Sequence, residues 1–477
     1  MTDVALYGTR IRALRRAEGL TQADLAKRLG VSASYINLIE NNRRPLSANL
    51  LLRLAREFSL DLGDFSSGDD GRVTADLIEA FGDPLLGDAS LSKAELVELA
   101  TTMPNVARSV LSLYRAYRVA RASAESMAEH LSDGDAGTGM RGANPSEEVN
   151  DFLQRHGNYF PALESAAEDL WKRAALRSGE IYPLLIKYLA RDHHIETRLL
   201  RAEQGGAMRR FDRDRGVLEL SEVLPPRTRR FQLAHQIALI THSDLLDSVT
   251  SEDEGLSPEA RSLARVVLAN YVAAAVLMPY DAVRKAAFEV RYDIELLAHR
   301  YQTSFEQVCH RLSSLRRPGA EGIPLHFVRI DVAGNITKRF SASGFRLPRF
   351  SGACPRWNVH DAFLTPGVFR IQLARMPDGV VYFCLARTVQ RATGGYKQPH
   401  VVHSIGIGCE VSHAKNIVYT DGVDLGSLED ATPVGVTCRT CDQQDCEQRV
   451  FPPLSQPLRI DENVRGRAFY AGHQRED

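Results

Sequence analysis

The first sixty residues alternate apolar and polar positions with the period of a helix. Leu25 and Leu29 form the inner stripe of one short helix, and Ile36 and Ile39 form that of the next. Gly30 ends the first of these helices and allows a sharp turn before the second. Two short helices joined by a glycine turn predict a helix-turn-helix.

Small and polar residues on the second helix face outward and can reach base edges in a major groove: Ser32, Ala33, Ser34, Tyr35 and Asn37. Further contacts to the DNA backbone are predicted for Gln22, Asn41, Arg43 and Arg44. For any one of these residues, the alternative is an ordinary polar position on the surface of a small helical bundle.

The stretch Leu91 to Arg121 repeats apolar residues at helical steps. It predicts either a dimerisation helix or an intramolecular core helix, and the pattern favours neither. A single helix-turn-helix contacts few bases, whereas a dimer binds two half-sites about 34 Å apart. We therefore expect a homodimer, or a higher even oligomer, on an inverted repeat of double-stranded DNA.

A long apolar helix is predicted over "RTRRFQLAHQIALITH", residues Arg227 to His242. A zinc peptidase needs two histidines four residues apart on such a helix, with a glutamate beside the first. Here Gln236 and Leu239 stand at the glutamate and second histidine positions, so that pattern is broken. We predict that this part of the chain is not an enzyme and that His235 is a core residue. A rearranged metalloenzyme site that uses His235 or His242 is the alternative.

The pattern changes after Pro318 to strands with alternating apolar and polar residues, joined by Ala-Gly-Asn and Pro-Asp-Gly turns. The fold class is therefore multidomain and mainly α, with a C-terminal α+β part. Four parts are predicted: a DNA reader over 1–66, a helical linker or dimerisation region over 67–145, a helical domain over 146–318 and a β-rich domain over 319–477.

The β-rich part contains aromatic residues and cations that suit a ligand with a planar or apolar part and phosphates. The candidate ligand-binding residues are Arg339, Arg349, Trp357, Arg391, Tyr396 and Lys397. An ordinary half-buried sheet would show a similar composition, and composition by itself does not separate the two readings.

Three cysteines near the C-terminal end, Cys438, Cys441 and Cys446, have metal-ligand spacing. Cys409 is predicted as a fourth ligand, with Cys384 and Cys354 as alternatives. Spacing fits zinc and an iron–sulfur cluster equally.

Composition limits the class of protein. The chain has 477 residues, which suggests about three domains. Its net charge is −1, yet residues 1–56 hold ten Lys or Arg against four Asp or Glu, which favours nucleic acid at that end. The start lacks a secretory signal, and no apolar run is long enough to cross a bilayer, so we expect a cytoplasmic protein with reduced cysteines.

Several stretches resemble known families. Residues 6 to 65 closely resemble the Cro-like (XRE) readers, and the region around "RRFQLAHQIAL" is similar to ImmA/IrrE-like metallopeptidases. The order of these parts, followed by "FSGACPRWNVHDAF", "GIGCEVSHAKNIVYTDG" and "CRTCDQQDCEQRVFPPL", resembles the bacterial short-chain fatty acyl-CoA regulators over nearly the whole chain.

The resemblance implies a transcriptional regulator of short-chain fatty acid assimilation that senses an acyl-CoA, first propionyl-CoA and then acetyl-CoA. It also implies redox input through an iron–sulfur cluster, although zinc is the simpler structural role. Activation and repression both remain open. The alternative is a repressor controlled by redox state or by a protein partner, with no CoA ligand.

Overall fold

The computed structural model describes residues 8, 11–12, 14–15, 18–41, 44, 50, 53–54, 57–58, 68–83, 91–132, 145–201, 207–348, 353–391, 400–438, 441, 443 and 446–451. The chain forms two compact units, residues 1–142 and 143–477.

In the 1–142 unit, α1 (Gln22–Leu29) and α2 (Ala33–Glu40) form the predicted helix-turn-helix. Thr21 caps α1 through a reciprocal pair of hydrogen bonds with Asp24. Gly30 ends α1 with a left-handed φ of 66°, a conformation that glycine adopts at little cost. The predicted inner stripes are buried in one small core.

The described residues of this unit contain three further helices: α3 (Gly68–Phe81), α4 (Lys93–Thr102) and α5 (Pro104–Ser132). Leu96 on α4 and Leu111 on α5 are buried. Tyr114 donates a hydrogen bond of 2.9 Å to the Asp83 carboxylate just after α3. The stretch from Leu91 to Arg121 is therefore two helices, interrupted at Met103, and it contributes to an intramolecular core.

The 143–477 unit begins with a helical part. Its helices are α6 (Pro145–Arg155), α7 (Pro161–Arg173), α8 (Ile181–His193), α9 (Pro226–Thr241), α10 (Ser243–Ser251), α11 (Pro258–Leu277), α12 (Tyr280–Glu289), α13 (Ile294–Arg300) and α14 (Phe305–Ser313). Between α8 and α9 lies a small sheet of β1 (Glu196–Leu200), β2 (Arg209–Asp212) and β3 (Val217–Ser221), in the order β1-β3-β2.

A six-stranded sheet follows, in the order β5-β4-β8-β7-β6-β9. Its strands are β4 (His326–Ile330), β5 (Ile336–Ser341), β6 (Arg370–Arg375), β7 (Val381–Arg391), β8 (Val401–Glu410) and β9 (Thr432–Pro433). The two predicted hairpins, β4–β5 and β6–β7, are antiparallel, and the predicted fold class is confirmed.

The sheet is apolar on both faces. Phe327, Leu385 and Ile407 belong to the core shared with the helices, whereas Val328 and Ala386 belong to a second core on the opposite face. A side chain at Gly408 would meet the β7 backbone and the His326 ring, so only glycine fits this close approach. The sheet is therefore held from both sides.

Helix α11 is the one described helix that is long and apolar enough to cross a membrane, and 61% of its apolar window is buried inside the protein. Leu268, Val272 and Val276 on it are fully buried against the surrounding helices. This is the composition that a core helix requires.

Candidate functional site

The recognition surface lies on α2. Ala33, Ser34 and Asn37 are exposed there, and Ser32 caps the helix by accepting from the Tyr35 N–H. Asn41 donates to the Asn37 side chain at 2.6 Å, which fixes both amides at the end of α2. These positions suit contact with base edges.

Two residues of the predicted reader are engaged within the protein. Tyr35 packs partly against the core, and the Arg44 guanidinium lies 4.9 Å from its ring centre. The Gln22 side chain donates to the Glu40 carboxylate at 2.8 Å. Arg43 lies outside the described residues.

Glu40 is a buried charged residue beside the predicted DNA-binding residues, and the sequence did not point to it. It is 1% exposed, and Arg15 contacts it at 2.6 Å. Burial acts to raise the pKa of Glu40, but hydrogen bonds from Arg15 and Gln22 lower it overall. The sequence signal for this pair was weak: Glu40 stands one residue after the buried Ile39 and downstream of several arginines. The Arg15 contact holds α2 against the segment before α1, and the Gln22 contact holds α2 against α1.

A cavity of about 1720 Å³ lies within the 143–477 unit. Its walls come from α6, β2, α9, α11, α13, α14 and one face of the six-stranded sheet. Drug-sized ligands occupy pockets of about 300–1,000 Å³, so this cavity has room for something larger. Nine described cations line it: Arg209, Arg227, Arg229, Arg230, Arg311, Arg329, Lys338, Arg339 and Arg387.

The degenerate peptidase helix forms part of this wall. His235 on α9 is 2% exposed, and its Nε2 lies 3.1 Å from the Val266 carbonyl while its Nδ1 lies 2.6 Å from Arg209 Nη1. Burial, together with the Arg209 charge, lowers the pKa of His235 to about 4. The ring is therefore neutral near pH 7, donates through Nε2 and accepts through Nδ1. His235 is a buried and satisfied residue, as predicted.

Cys309 and His310 are neighbours on α14 but differ in burial. Cys309 is fully buried. His310 is only partly buried, because its ring lines the cavity and lies 4.1 Å from the Phe327 ring centre.

The structure separates the predicted ligand-binding residues. Arg339 lines the cavity, but its guanidinium is bonded to the Glu147 carboxylate and the Pro348 carbonyl. Trp357 is not at the cavity: it is 3% exposed in the second core and donates to the Gly435 carbonyl at 3.0 Å. The prediction for Trp357 was wrong because its aromatic surface packs behind the sheet.

The other four predicted ligand-binding residues lie, wholly or in their side chains, outside the described part of the structure. Arg349, Tyr396 and Lys397 lie outside the described residues. Arg391 is the last residue of β7 and pairs with Val401, but its side chain is also outside the described part.

The C-terminal cysteines lie together, with one change from the predicted set. Cys438, Cys441 and Cys446 line a small cavity with Cys354. Cys409 instead faces the helical core, beside Ile405 and Ile407 on its strand. Cys354 belongs to the core on the other face of the sheet, so the sheet separates Cys409 from the three thiols. The prediction of Cys409 as the fourth ligand was wrong for this reason.

The four thiols have the donor chemistry for a metal but not its geometry. Among the described residues, no three His, Cys, Asp or Glu side chains are arranged to hold one ion. The cavity volume is about 10 Å³, on the order of one water molecule and too small for an iron–sulfur cluster. Arg449 crosses this loop and donates to the carbonyls of Cys438 and Cys441.

Three family models match successive parts of the chain: a helix-turn-helix over 11–65, an IrrE N-terminal-like domain over 190–313 and a short-chain fatty acyl coenzyme A regulator C-terminal domain over 314–470. With the exposed recognition helix and the cavity, they define the class as a DNA-binding transcriptional regulator with an acyl-CoA regulator domain. The chain belongs to the short-chain fatty acyl-CoA regulator family.

Similar proteins span the same length. A propionyl-CoA carboxylase regulator of Cereibacter sphaeroides is 44% identical and covers 98% of both chains. The Mycobacterium tuberculosis regulators PrpR and RamB are 41% and 40% identical over 96% of this chain, and 94% and 96% of those proteins are covered. A solved structure described as a Mycobacterium tuberculosis transcriptional regulator shares 42% identity and covers 69% of this chain and 100% of its own, with a TM-score of 0.66.

Proposed function

We propose that this protein binds a short-chain acyl-CoA, propionyl-CoA first and acetyl-CoA second, and thereby controls genes for short-chain fatty acid and propionyl-CoA assimilation. The observation that carries the proposal is the cavity of about 1720 Å³ lined by nine cations, in the same chain as a helix-turn-helix. CoA is large and carries several phosphate charges, which matches both properties. The name of the Cereibacter sphaeroides relative supports the propionyl form.

The ligand regulates only if it binds the DNA-competent and DNA-incompetent arrangements with different affinities. Because the cavity is bounded by helices on one side and by the sheet on the other, a ligand inside it contacts both parts of the 143–477 unit. A bound acyl-CoA therefore stabilises one arrangement of these parts over others.

We infer that the helical part has no peptidase activity. Gln236 cannot take a proton from water as a glutamate does, and Leu239 cannot ligate a metal. Both ring nitrogens of His235 are already engaged within the protein. The peptidase-like fold then serves as a wall of the ligand cavity.

We further propose that the protein is a cytoplasmic homodimer on an inverted repeat. Val106 and Leu113 lie seven residues apart on α5 and are 48% and 72% exposed, which leaves an apolar strip on that helix. A second copy of the same strip would cover it and would place two readers on one DNA site.

Calorimetric titration tests the ligand. We expect saturable binding of propionyl-CoA and acetyl-CoA that is tighter than binding of free CoA, because only the acyl forms fill the apolar part of the cavity. The same titrations repeated with operator DNA bound should give different affinities. Absence of binding by all three compounds would remove the acyl-CoA proposal and favour control by redox state or by a protein partner.

The reader is tested by a pair of variants on selected DNA sites. Asn37→Ala is expected to change the preferred base at one position, by about 1–3 kcal/mol of discrimination, because Asn37 is exposed on the recognition helix. Arg44→Ala is expected to weaken binding to all sequences and to reduce the salt slope by about 0.9, as loss of one phosphate contact does. A changed preference in the Arg44 variant with an unchanged salt slope would show that the two roles are reversed.

A further inference from the structure

Seven of the nine cations that line the cavity fall into two groups. On the sheet and its adjoining loops, three arginines are each paired with a carboxylate: Arg329 with Glu306, Arg339 with Glu147 and Arg387 with Glu295. Their charges are largely neutralised within the protein. A ligand phosphate would have to compete with these carboxylates, so this side of the cavity is a poor place for anionic groups.

Arg209 and Arg230, on the opposite wall, have only neutral partners. Arg209 donates to the Gln232 side chain at 2.9 Å and to His235. Arg230 is 5% exposed and donates to the carbonyls of Tyr301 and Gln302, while its Nε has no hydrogen-bond partner. Among the described residues, no carboxylate oxygen lies within 4.0 Å of either guanidinium. Burial lowers the pKa of both groups.

A buried guanidinium without a counter-charge is costly, because water no longer solvates it. Arginine cannot relieve this cost by losing its proton. Two such groups on one cavity wall therefore indicate that an anion completes the site.

The start of α9 carries the same excess of positive charge. Arg227, Arg229 and Arg230 lie in its first five residues, and the first turn has no acidic residue. The N-terminus of a helix already bears a partial positive charge, which normally favours Asp or Glu there. All three arginines line the cavity, so their unfavourable placement is offset when an anion occupies it.

We infer that the phosphate groups of the acyl-CoA bind to Arg209 and the arginines at the start of α9, which we call the α9 arginine site (Arg209, Arg227, Arg229 and Arg230). The ligand is then held by the IrrE-like helix on which the peptidase pattern is broken, and not by the cations of the acyl-CoA regulator domain. This inference rests on the proposed acyl-CoA function.

The test compares propionyl-CoA with propionyl-pantetheine, which carries the same acyl group but no phosphate. The dissociation constant of propionyl-pantetheine divided by that of propionyl-CoA measures the contribution of the phosphates. For Arg209→Gln we expect this ratio to fall by about tenfold or more, as for loss of one charge-assisted hydrogen bond. Arg227→Gln, at an exposed position where folding is not at risk, is expected to lower it by about threefold to tenfold.

The matched control removes a cation from the other wall without changing the net charge. The double variant Arg387→Gln with Glu295→Gln is expected to keep the wild-type ratio, because that arginine is already neutralised. A wild-type ratio in both Arg209→Gln and Arg227→Gln, with a reduced ratio in the double variant, would overturn the inference and leave the acyl-CoA function standing.

A separate arm distinguishes failure of the proposed function. If the wild-type protein binds neither propionyl compound but binds ADP, and Arg209→Gln abolishes ADP binding, the phosphate site stands and the acyl-CoA function fails. If the wild-type protein binds neither ADP nor propionyl-CoA, both are overturned.

Discussion

Replacement of Glu164 by leucine is expected to lower the free energy of unfolding of the 143–477 unit by about 5 kcal/mol. Glu164 on α7 is 3% exposed, and its carboxylate accepts two hydrogen bonds from the Arg311 guanidinium, at 2.6 and 2.9 Å. Tyr271 donates to the same carboxylate at 2.6 Å. Removing the carboxylate leaves the fully buried Arg311 charge without its counter-ion.

Arg311→Met is expected to cost less, about 3 kcal/mol. A buried carboxyl group that has lost its partner can be neutral, whereas an arginine cannot lose its charge. Burial, followed by the Glu164 charge, raises the pKa of Tyr271, so its hydroxyl remains protonated as a donor. The relative stability of the two single variants therefore depends on which remaining partner can become neutral.

The double variant Glu164→Leu with Arg311→Met separates this explanation from simple loss of packing. We expect it to be more stable than Glu164→Leu alone, because no buried charge is left unpaired. Urea unfolding followed by tryptophan fluorescence is the measurement, since both tryptophans of the chain, Trp171 and Trp357, lie in the 143–477 unit. If the three variants lose the same stability, or if the double variant loses the sum of the two single losses, the charge pair is not the cause.

The same network connects stability to the ligand cavity. Tyr271 and Arg311 line the cavity, and Arg311 also donates to the Met278 carbonyl at the end of α11. Glu164 thus joins α7, α11 and α14 at one point of the cavity wall. The Arg311 charge is paired there, in contrast to the α9 arginine site, where Arg209 and Arg230 have only neutral partners.

Local patterns predicted the elements that depend on local chemistry. The Gly30 turn and the helical period of Ile36 and Ile39 were enough to predict the helix-turn-helix. The hairpins of the sheet followed from their turn residues in the same way. In each case the residues that decide the structure lie within a few positions of one another, so the sequence displays them directly.

The candidate site depended on contacts between distant segments, and these could not be read from the pattern. Arg339 is neutralised by Glu147, which is 192 residues away in the chain, so it looked like a free cation. Arg209 on β2 and Arg230 on α9 become one site only through the packing of the helical part. Cys409 and Cys354 face opposite sides of a sheet that is apolar on both faces, and such a strand gives no signal of which side is which.

Stability is expected to fall steeply when the pH is lowered from about 6.5 to 5. His235 and His326 are 2% and 3% exposed, and burial lowers their pKa values to about 4 and about 3. His326 faces the Ser343 hydroxyl, the Cys384 thiol and the Phe345 ring, and none of these carries a charge that would stabilise an imidazolium. Both histidines therefore stay neutral in the folded protein across this range.

The direction follows from proton binding by the two states. In the unfolded chain a histidine takes up a proton as the pH falls through its ordinary pKa of about 6.5, whereas the folded protein does not. Above pH 6.5 neither histidine lowers the free energy of unfolding. By pH 5 each lowers it by about 2 kcal/mol, or by about 4 kcal/mol together. Carboxylates protonate mainly below this window, so the loss belongs to the histidines.

Variants measure the contribution of these two rings. His326→Gln and His235→Gln should each reduce the change in unfolding free energy between pH 6.5 and 5 by about 2 kcal/mol, even where they lower stability at pH 7, and the partly buried His310, whose pKa is also lowered to about 4, adds a loss that neither variant removes. His400→Gln is the matched control, because His400 is exposed, and it should leave the change as in the wild type. A pH dependence that is the same in all four proteins would mean that other groups titrate. A reduced dependence in the two buried variants alone would show that each ring is kept neutral by burial, so the proton-free His235 continues to accept from Arg209 and holds that guanidinium at the cavity wall.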